Sequence, residues 1–238
     1  MIFTIEDRLS DSPFIDRIWR AQIEHTGAIS SIAMSSWEMV VSRYQDKTFM
    51  TVRGPESRAT RMPVTIIGTE FFGIRFKVGT IMHHLPASNL VDEDLNLPDA
   101  SSKTFWLNSA AWQFPSYENA DTFVDRLLQQ DLLGRDLVVE TALQGRQNDL
   151  SIRTTRRRFM RTIGLTQNAV RQIERARYAA VLLREGKSIL DVVYEAGYFD
   201  QPHLTRSLKH FIGQTPTQIM QKDGLEQLSF LYKTEPPR

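Results

Sequence analysis

Arginine is concentrated in one short segment of the chain. Five arginines and no acidic residue lie between Ser151 and Arg161. If this segment is helical, Arg153, Arg157 and Arg161 recur at i, i+4 and i+8 and form a stripe on one face. Like charges at this spacing repel by about 0.2–0.5 kcal/mol per pair, so helix stability alone does not favour the stripe. Guanidinium groups bind phosphates and guanine edges, and the stripe therefore predicts a surface for a phosphate-lined groove.

Cysteine is absent from the sequence, and this excludes several kinds of chemistry. Without thiols the chain has no disulfide, no thiolate zinc site, no iron–sulfur cluster and no cysteine nucleophile. Gly-rich phosphate loops, Gly-x-Ser-x-Gly elbows and His-Glu-x-x-His motifs are absent as well. His83 and His84 are adjacent, and adjacent strand residues point to opposite faces, so one ion rarely binds both. We therefore expect no catalytic residue, no metal site and no cofactor.

The composition is that of a folded, water-soluble protein. The 238 residues are 41% hydrophobic and 24% charged, and the mean hydropathy is −0.32. No apolar run approaches the roughly 18–20 residues of a membrane-spanning helix. The segment Met1–Asp7 has neither a basic leader nor an extended apolar core. These features predict a cytoplasmic protein without a membrane partner.

Charge and apolar spacing both divide the chain in two. Residues 1–135 have a net charge of −4, whereas residues 136–238 have a net charge of +5. A basic half is typical of a protein with a polyanion partner. Before residue 115, short β-branched and aromatic runs alternate with Gly and Pro turns, as strands do. From Pro115 onward the apolar spacing is helical.

We therefore predict an α+β protein with a β-rich N-terminal domain and an all-α C-terminal domain. The predicted segments are a β-rich domain at 1–115, a connecting helix at 116–135, the all-α domain at 136–225 and a tail at 226–238. The predicted strands are Trp37–Val41, Thr48–Val52, Val64–Ile67 and Phe71–Val78.

The all-α part begins with a short helix, a turn and a longer helix. The short helix ends near Gly145 and is followed by a turn at residues 146–150. Ser151 is a good N-cap for a helix that Gly164 can stop. The buried face of this helix is predicted to contain Ile152, Phe159 and Ile163.

The same pattern of a short helix, a turn and a longer helix recurs about fifty residues later. Ser188–Ala196 reads as a short helix with a capping-box sequence, and Asp200 as the N-cap of a helix that ends before Gly213. A linker helix of about 18 residues, predicted from Asn168 to Arg184, would span ~27 Å between the two copies. With its turns it can hold two helices about one DNA turn, ~34 Å, apart.

Residues 136–222 resemble the tandem helix-turn-helix DNA-binding domain of AraC/XylS-type transcriptional regulators. The most specific stretch is Ser188–Lys209, closed by Gly213–Pro216. The resemblance implies two recognition helices, at about Ser151–Ile163 and Gln201–Phe211, that enter adjacent segments of the major groove.

By that resemblance, side chains of both helices contact double-stranded operator DNA. The implied base contacts are Arg153, Arg156 and Arg157 in the first helix and Gln201, His203, Thr205 and Arg206 in the second. Arg161 and Lys209, which also point outward, complete the predicted DNA-binding set. Thr155 and Arg158 stand where the family usually has apolar residues, and Pro202 where a small polar residue is common. The first helix is therefore expected to depend more on phosphates than on bases.

The N-terminal part resembles the β-rich sensor half that precedes such domains. The resemblance rests on Phe71–Gly79 and Leu85–Leu90, and it makes a cupin-like or barrel-like topology the candidate fold. All four tryptophans lie in this half, either as ordinary core or as the lining of a pocket for a small organic molecule. Arg75 alternates with apolar neighbours and is predicted on the solvent face of a strand rather than as an anion ligand.

Three classes of function fit these features. The first is a one-component transcriptional regulator, here expected to be an activator, whose N-terminal domain senses a small molecule or mediates oligomerisation. RNA polymerase, a small-molecule effector and a second copy of the chain are its further candidate partners. The alternatives are an architectural DNA binder without sensing and a cupin-like enzyme fused to a DNA-binding domain. The alkyl-transfer repair module found beside such domains needs cysteines and is excluded. We expect a regulator and not an enzyme.

Overall fold

Strands fill the first half of the chain and helices the second, as the apolar spacing predicts. The computed structural model describes residues 2–146 and 150–221; the predicted turn residues 147–149 and the predicted tail lie outside the described residues. The strands are β1 Phe3–Arg8, β2 Ile15–Ile23, β3 Gly27–Ser31, β4 Glu38–Tyr44, β5 Lys47–Arg53, β6 Thr60–Val64, β7 Glu70–Phe76, β8 Thr80–Met82, β9 Asp94–Leu97, β10 Asp99–Ser101, β11 Thr104–Leu107, β12 Ala110–Gln113 and β13 Leu133–Arg135. The helices are α1 Ala120–Gln129, α2 Leu137–Leu143, α3 Ile152–Ile163, α4 Gln167–Arg184, α5 Ile189–Glu195, α6 Gln201–Phe211 and α7 Pro216–Met220, with a short 3-10 helix at Ala87–Asn89.

The main sheet of the N-terminal half is antiparallel and open. Within the described residues it has six strands in the order β1-β2-β7-β4-β5-β9, so β1 and β9 are edges and the sheet does not close into a barrel. Side chains alternate between its faces. On β4, Met39 and Val41 point into an apolar core, whereas Val40 and Ser42 line a cavity on the other face.

The core face of this sheet is covered by α1 and by the β11–β12 hairpin. Phe105, Trp112, Phe123 and Leu127 are buried in one cluster with the sheet residues. β13 continues the same unit by pairing with β8. The connecting helix predicted at 116–135 is therefore observed as the shorter α1, followed by β13, and α1 packs within the β-rich half.

Three of the four predicted strands are confirmed as β4, β5 and β7, but the run Val64–Ile67 is not a strand. β6 ends at Val64, immediately after Pro63, and Ile66 and Ile67 are exposed. The segment then turns at Gly68, whose φ is +80°. The apolar run did not predict a strand correctly here, because the sheet ends at Val64 and does not bury Ile66 and Ile67.

The C-terminal half packs around α4, whose buried residues include Ile173, Ala176 and Leu183. The predicted helix ends are confirmed: Ser151, Ser188 and Asp200 each accept a hydrogen bond from a first-turn backbone N–H. These caps satisfy donors that a helix cannot pair internally.

One residue predicted on the buried face of α3 is exposed instead. Phe159 and Ile163 are buried, but Ile152 is 73% exposed. Ile152 is in the first turn of α3, where its neighbours Ser151 and Arg153 are also exposed, so this turn projects past the core. Helical spacing gave the correct direction of Ile152 but not the point where the core ends.

Candidate nucleic-acid interface

The arginines of α3 form a continuous exposed surface. Arg153, Arg156, Arg157 and Arg161 are all exposed. The helix is fixed at both ends, because the Ser151 Oγ accepts from the Thr154 N–H at 3.2 Å and a left-handed glycine ends it. A rigid helix with free guanidinium groups suits a polyanion.

Arg158, the fifth arginine of this segment, has a structural partner. Its Nε donates to Asp136 Oδ2 at 2.8 Å, and the Thr162 hydroxyl donates to the same oxygen at 3.0 Å. Asp136 is buried and also caps α2 through the N–H groups of Val138 and Val139. Burial by itself would raise the pKa of Asp136, but the hydrogen bonds from Arg158 and Thr162 hold this pKa below its ordinary value. Sequence reasoning missed Asp136, although an Asp just before a helical run is a recognisable N-cap signal.

Opposite α3 lies the N-terminal domain. Arg157, Arg158 and Arg161 line a cleft of about 770 Å³ whose other wall includes Met82 and His83. His83 and His84 lie in the turn after β8 and not on a strand, and both are exposed. Within the described residues, neither Arg157 nor Arg161 forms a hydrogen bond or an ion pair, and both side chains line this cleft.

The second recognition helix, α6, begins at the Asp200 cap and presents a more polar surface. Gln201, Arg206 and Lys209 are exposed. His203 and Thr205 are half-buried, and the His203 ring packs edge-on against Tyr198 with centroids 5.1 Å apart. The predicted residues of α6 thus share one exposed side, with His203 at its edge.

Between these two helices lies α4, with 18 residues. At 1.5 Å per residue it spans ~27 Å, which is the predicted spacer. Residues predicted to bind DNA therefore belong to two separate helices on one rigid support.

The N-terminal domain contains a cavity between the main sheet and the two-stranded β3–β6 sheet. Its volume is about 440 Å³, and its walls are mostly apolar, with Trp19, Phe49 and Phe71 on the sheet side. Arg53 and Asp94 are its charged residues. The size is within the ~300–1,000 Å³ of small-molecule sites.

Next to this cavity lies a buried group of charges. Arg75, which was predicted on a solvent face, is 3% exposed and pairs with the equally buried Glu38 at 3.4 Å. Trp19 Nε1 donates to Glu38 at 3.2 Å, and Arg53 approaches the same carboxylate at 3.4 Å. The prediction for Arg75 was wrong because the β3–β6 side of the sheet is covered and not solvated. Alternation shows which face a residue takes but not what covers that face.

Comparison with known proteins bears on the helical half. Residues 146–222 match a family model described as a helix-turn-helix domain. Residues 146–222 form an AraC-type helix-turn-helix domain. This AraC-type domain makes the protein a DNA-binding transcription regulator. Comparisons with curated proteins and with solved structures gave no significant match.

None of the helices in residues 2–146 and 150–221 is long and apolar enough to span a membrane. Within the same ranges no three His, Cys, Asp or Glu side chains are grouped as metal ligands would be.

Proposed function

We propose that the protein binds specific operator DNA with both recognition helices, α3 and α6, in successive major grooves. The observation that carries this proposal is the exposed arginine surface of α3 on an AraC-type domain whose second recognition helix presents a polar exposed side. The length of α4 agrees with a separation of about one DNA turn.

The two helices divide the contacts. On α3, Arg153, Arg156 and Arg157 contact bases and Arg161 a phosphate. On α6, the proposed base contacts are Gln201, His203, Thr205 and Arg206, and Lys209 contacts a phosphate. Arg158 is left out, because Asp136 already accepts its Nε–H.

The N-terminal domain senses a small molecule in the cavity between the main sheet and the β3–β6 sheet. The volume and apolar lining of the cavity support this role. A second copy of the chain and RNA polymerase are further proposed partners, and activation is the proposed mode of regulation.

A binding measurement on the full chain tests the proposal. DNA that the protein retains is selected from a random-sequence pool and titrated in gel shifts over a range of salt. We expect a shared sequence motif and an affinity that falls steeply with salt. Arg161→Ala should lower the slope of log K against log salt by about one unit, because one phosphate contact is lost.

Arg43→Ala is the matched control, because Arg43 is an exposed arginine of β4 outside both recognition helices. It removes the same charge and should leave the slope unchanged. Selection of DNA without any shared motif would favour an architectural binder, and equal slopes for both variants would refute the phosphate role of Arg161.

A further inference from the structure

The strands that cover one side of the cavity are hydrogen-bonded to the C-terminal end of α6. β3 and β6 pair with each other as a separate two-stranded sheet. Ala33, two residues after β3, donates its N–H to the carbonyl of Phe211 at 2.7 Å, and Ala59, just before β6, donates to that of His210 at 2.9 Å. Both acceptors belong to the last turn of α6, so this end of the β3–β6 sheet holds two of its terminal carbonyls.

Packing and polar contacts strengthen this junction. Ile32 and Ala33 are buried in the core of the helical domain, although they belong to the N-terminal half. Arg177 of α4 donates to the Ala33 carbonyl at 3.3 Å, and the Ser35 hydroxyl donates to Glu174 at 2.7 Å. Residues 32–35 are therefore part of both domains, and a shift in them changes the packing of α4 and α6.

A series of hydrogen-bonded polar groups connects the cavity wall to the same junction. Arg53 lines the cavity and donates to Glu56 at 2.9 Å. Glu56 accepts from the hydroxyl of Ser31, the last residue of β3, at 2.7 Å. The backbones of Glu56 and Met34 bond to each other in both directions, at 2.9 and 2.8 Å. A shift of the cavity wall can therefore be transmitted to Ala33 through a few hydrogen bonds.

The end of α3 is held by the N-terminal domain as well. Gly164 lies so close to the 3-10 helix that a Cβ there would be 2.8 Å from Ser88 Cα. From this helix the chain runs into β9, whose Asp94 lines the cavity. Both recognition helices therefore end against segments that lead to the same cavity.

The charges of the cavity define the ligand class. Arg53 already faces three carboxylates, those of Glu38, Glu56 and Asp94. A ligand anion would have to enter beside these carboxylates, which is electrostatically unfavourable. The remaining walls are mostly apolar. A molecule with an apolar body and an uncharged hydrogen-bonding end is complementary to them.

We propose that an uncharged, largely apolar small molecule fills this cavity and alters operator affinity by moving the end of the β3–β6 sheet that holds the end of α6. This inference rests on the proposed function, since it assigns the ligand class and the route of regulation to the sensing cavity. An effect of about 5- to 150-fold on affinity is typical of such coupling.

The experiment uses the full chain, its selected DNA and two probes with the same ring system, 1-naphthol and 1-naphthoate. Amide hydrogen exchange is followed by NMR with operator titrations in parallel. 1-Naphthol should change operator affinity by at least fivefold and change the exchange of the Ala33 and Ala59 amides. The Phe123 amide, bonded to the Asn119 carbonyl at the start of α1 on the other face of the main sheet, is the internal control and should not respond.

Two substitutions test the route without a ligand. Ser42→Phe fills the cavity from β4 and should mimic 1-naphthol, whereas Arg43→Phe adds the same ring to an exposed position of the same strand. Ser31→Ala removes the Ser31–Glu56 hydrogen bond. In a chain that carries this substitution, Ser42→Phe should change operator affinity less than it does in the parent chain. If Ser42→Phe lowers the melting temperature, Ser42→Leu replaces it.

Each outcome decides the proposal. Tighter binding of 1-naphthoate than of 1-naphthol, or binding of neither, overturns the ligand class. Unchanged exchange at Ala33 and Ala59 in the cavity-filled variant, with unchanged operator affinity, overturns the route. If the parent chain binds selected DNA normally in that case, only this inference fails. A parent chain without DNA affinity would instead refute the proposed function.

Discussion

The two recognition helices occupy equivalent places in the tandem repeat, yet they are built differently. α3 has two buried side chains, Phe159 and Ile163, whereas α6 has four in the described structure. α3 carries five exposed arginines, of which Arg158 is paired with Asp136, whereas the exposed side of α6 combines Arg206 and Lys209 with uncharged polar groups. α3 therefore exposes more positive charge and buries fewer side chains. α6 buries more side chains and exposes a more varied set of hydrogen-bonding groups.

If both helices bind DNA as we propose, this difference divides the work between them. Charge binds any DNA backbone, whereas base discrimination needs donors and acceptors of defined direction. Each helix is followed by a glycine with positive φ, Gly164 after α3 and Gly213 two residues after α6, that lies against the N-terminal domain. The two helices thus differ in the surface that they expose but are similar in how their C-terminal ends are held.

The smaller core of α3 gives the largest expected effect. Phe159→Ala should destabilise the protein by about 3–5 kcal/mol, because a fully buried ring is removed and leaves a cavity. We expect amides of α3 to lose exchange protection before those of α6. Met160→Ala, at the exposed neighbouring position, should change stability by less than about 0.5 kcal/mol. Equal loss of protection in both helices would show that they unfold as one unit.

Removal of equivalent arginines tests the division of work directly. Arg157→Ala and Arg206→Ala should each weaken specific binding by about 1–3 kcal/mol. Both variants should relax preference at one base position, Arg206→Ala more sharply than Arg157→Ala, because α3 is expected to depend more on phosphates. Competition gel shifts with single-base operator variants measure both. Equally sharp base-specific losses would remove the contrast between the helices, and an even loss on specific and non-specific DNA for Arg157→Ala would refute its proposed base contact.

The glycine ends sharpen the comparison at the domain junction. Gly164→Ala should lower the free energy of unfolding by about 2 kcal/mol and Gly213→Ala by about 1 kcal/mol. A residue with a Cβ in the left-handed region costs roughly 1–2 kcal/mol, and of these two glycines only Gly164 has a backbone atom within 3 Å of the added Cβ. Thermal unfolding of the full chain gives both values. Gly197→Ala isolates the conformational cost, because its φ is +68° and nothing lies within 4 Å. A cost for Gly164→Ala no larger than that for Gly197→Ala would argue against tight packing there.

The smallest effect concerns the carboxylate that holds α3 on α2. Asp136→Asn should lower the free energy of unfolding by about 1 kcal/mol near neutral pH, because the N-cap of α2 is weakened and Arg158 loses its ionised partner. The pKa of Asp136 is lowered in the folded protein, so its contribution is full above the ordinary value of 3.8 and is lost as pH falls through the folded pKa. Urea unfolding of parent and variant should therefore converge at acid pH.

Asp125→Asn removes an exposed carboxylate from α1 and serves as the control. Its stability should follow the parent at every pH. If Asp136→Asn also runs parallel to the parent down to the lowest pH, the Arg158 and Thr162 bonds do not stabilise the ionised carboxylate.

The sequence by itself determined most of the helical half. Caps such as Ser151 and Asp200, stops such as Gly164 and Gly213, and apolar spacing act over a few residues, so they can be recognised without knowledge of the fold. The resemblance of residues 136–222 to AraC/XylS-type domains was sufficient for the domain type, which the match at 146–222 confirms. The DNA-binding residues themselves remain predictions.

Only the tertiary structure decided which surfaces are covered. Whether Arg75 meets solvent or Glu38, and whether Ile152 reaches the core, depends on elements distant in sequence, here the β3–β6 sheet and the edge of the helical core. The contacts of Ala33 with Phe211 and of Arg158 with Asp136 likewise join parts of the chain that no local pattern relates. Spacing along a helix or strand sets the direction of a side chain, but its partner is set by how the two domains pack.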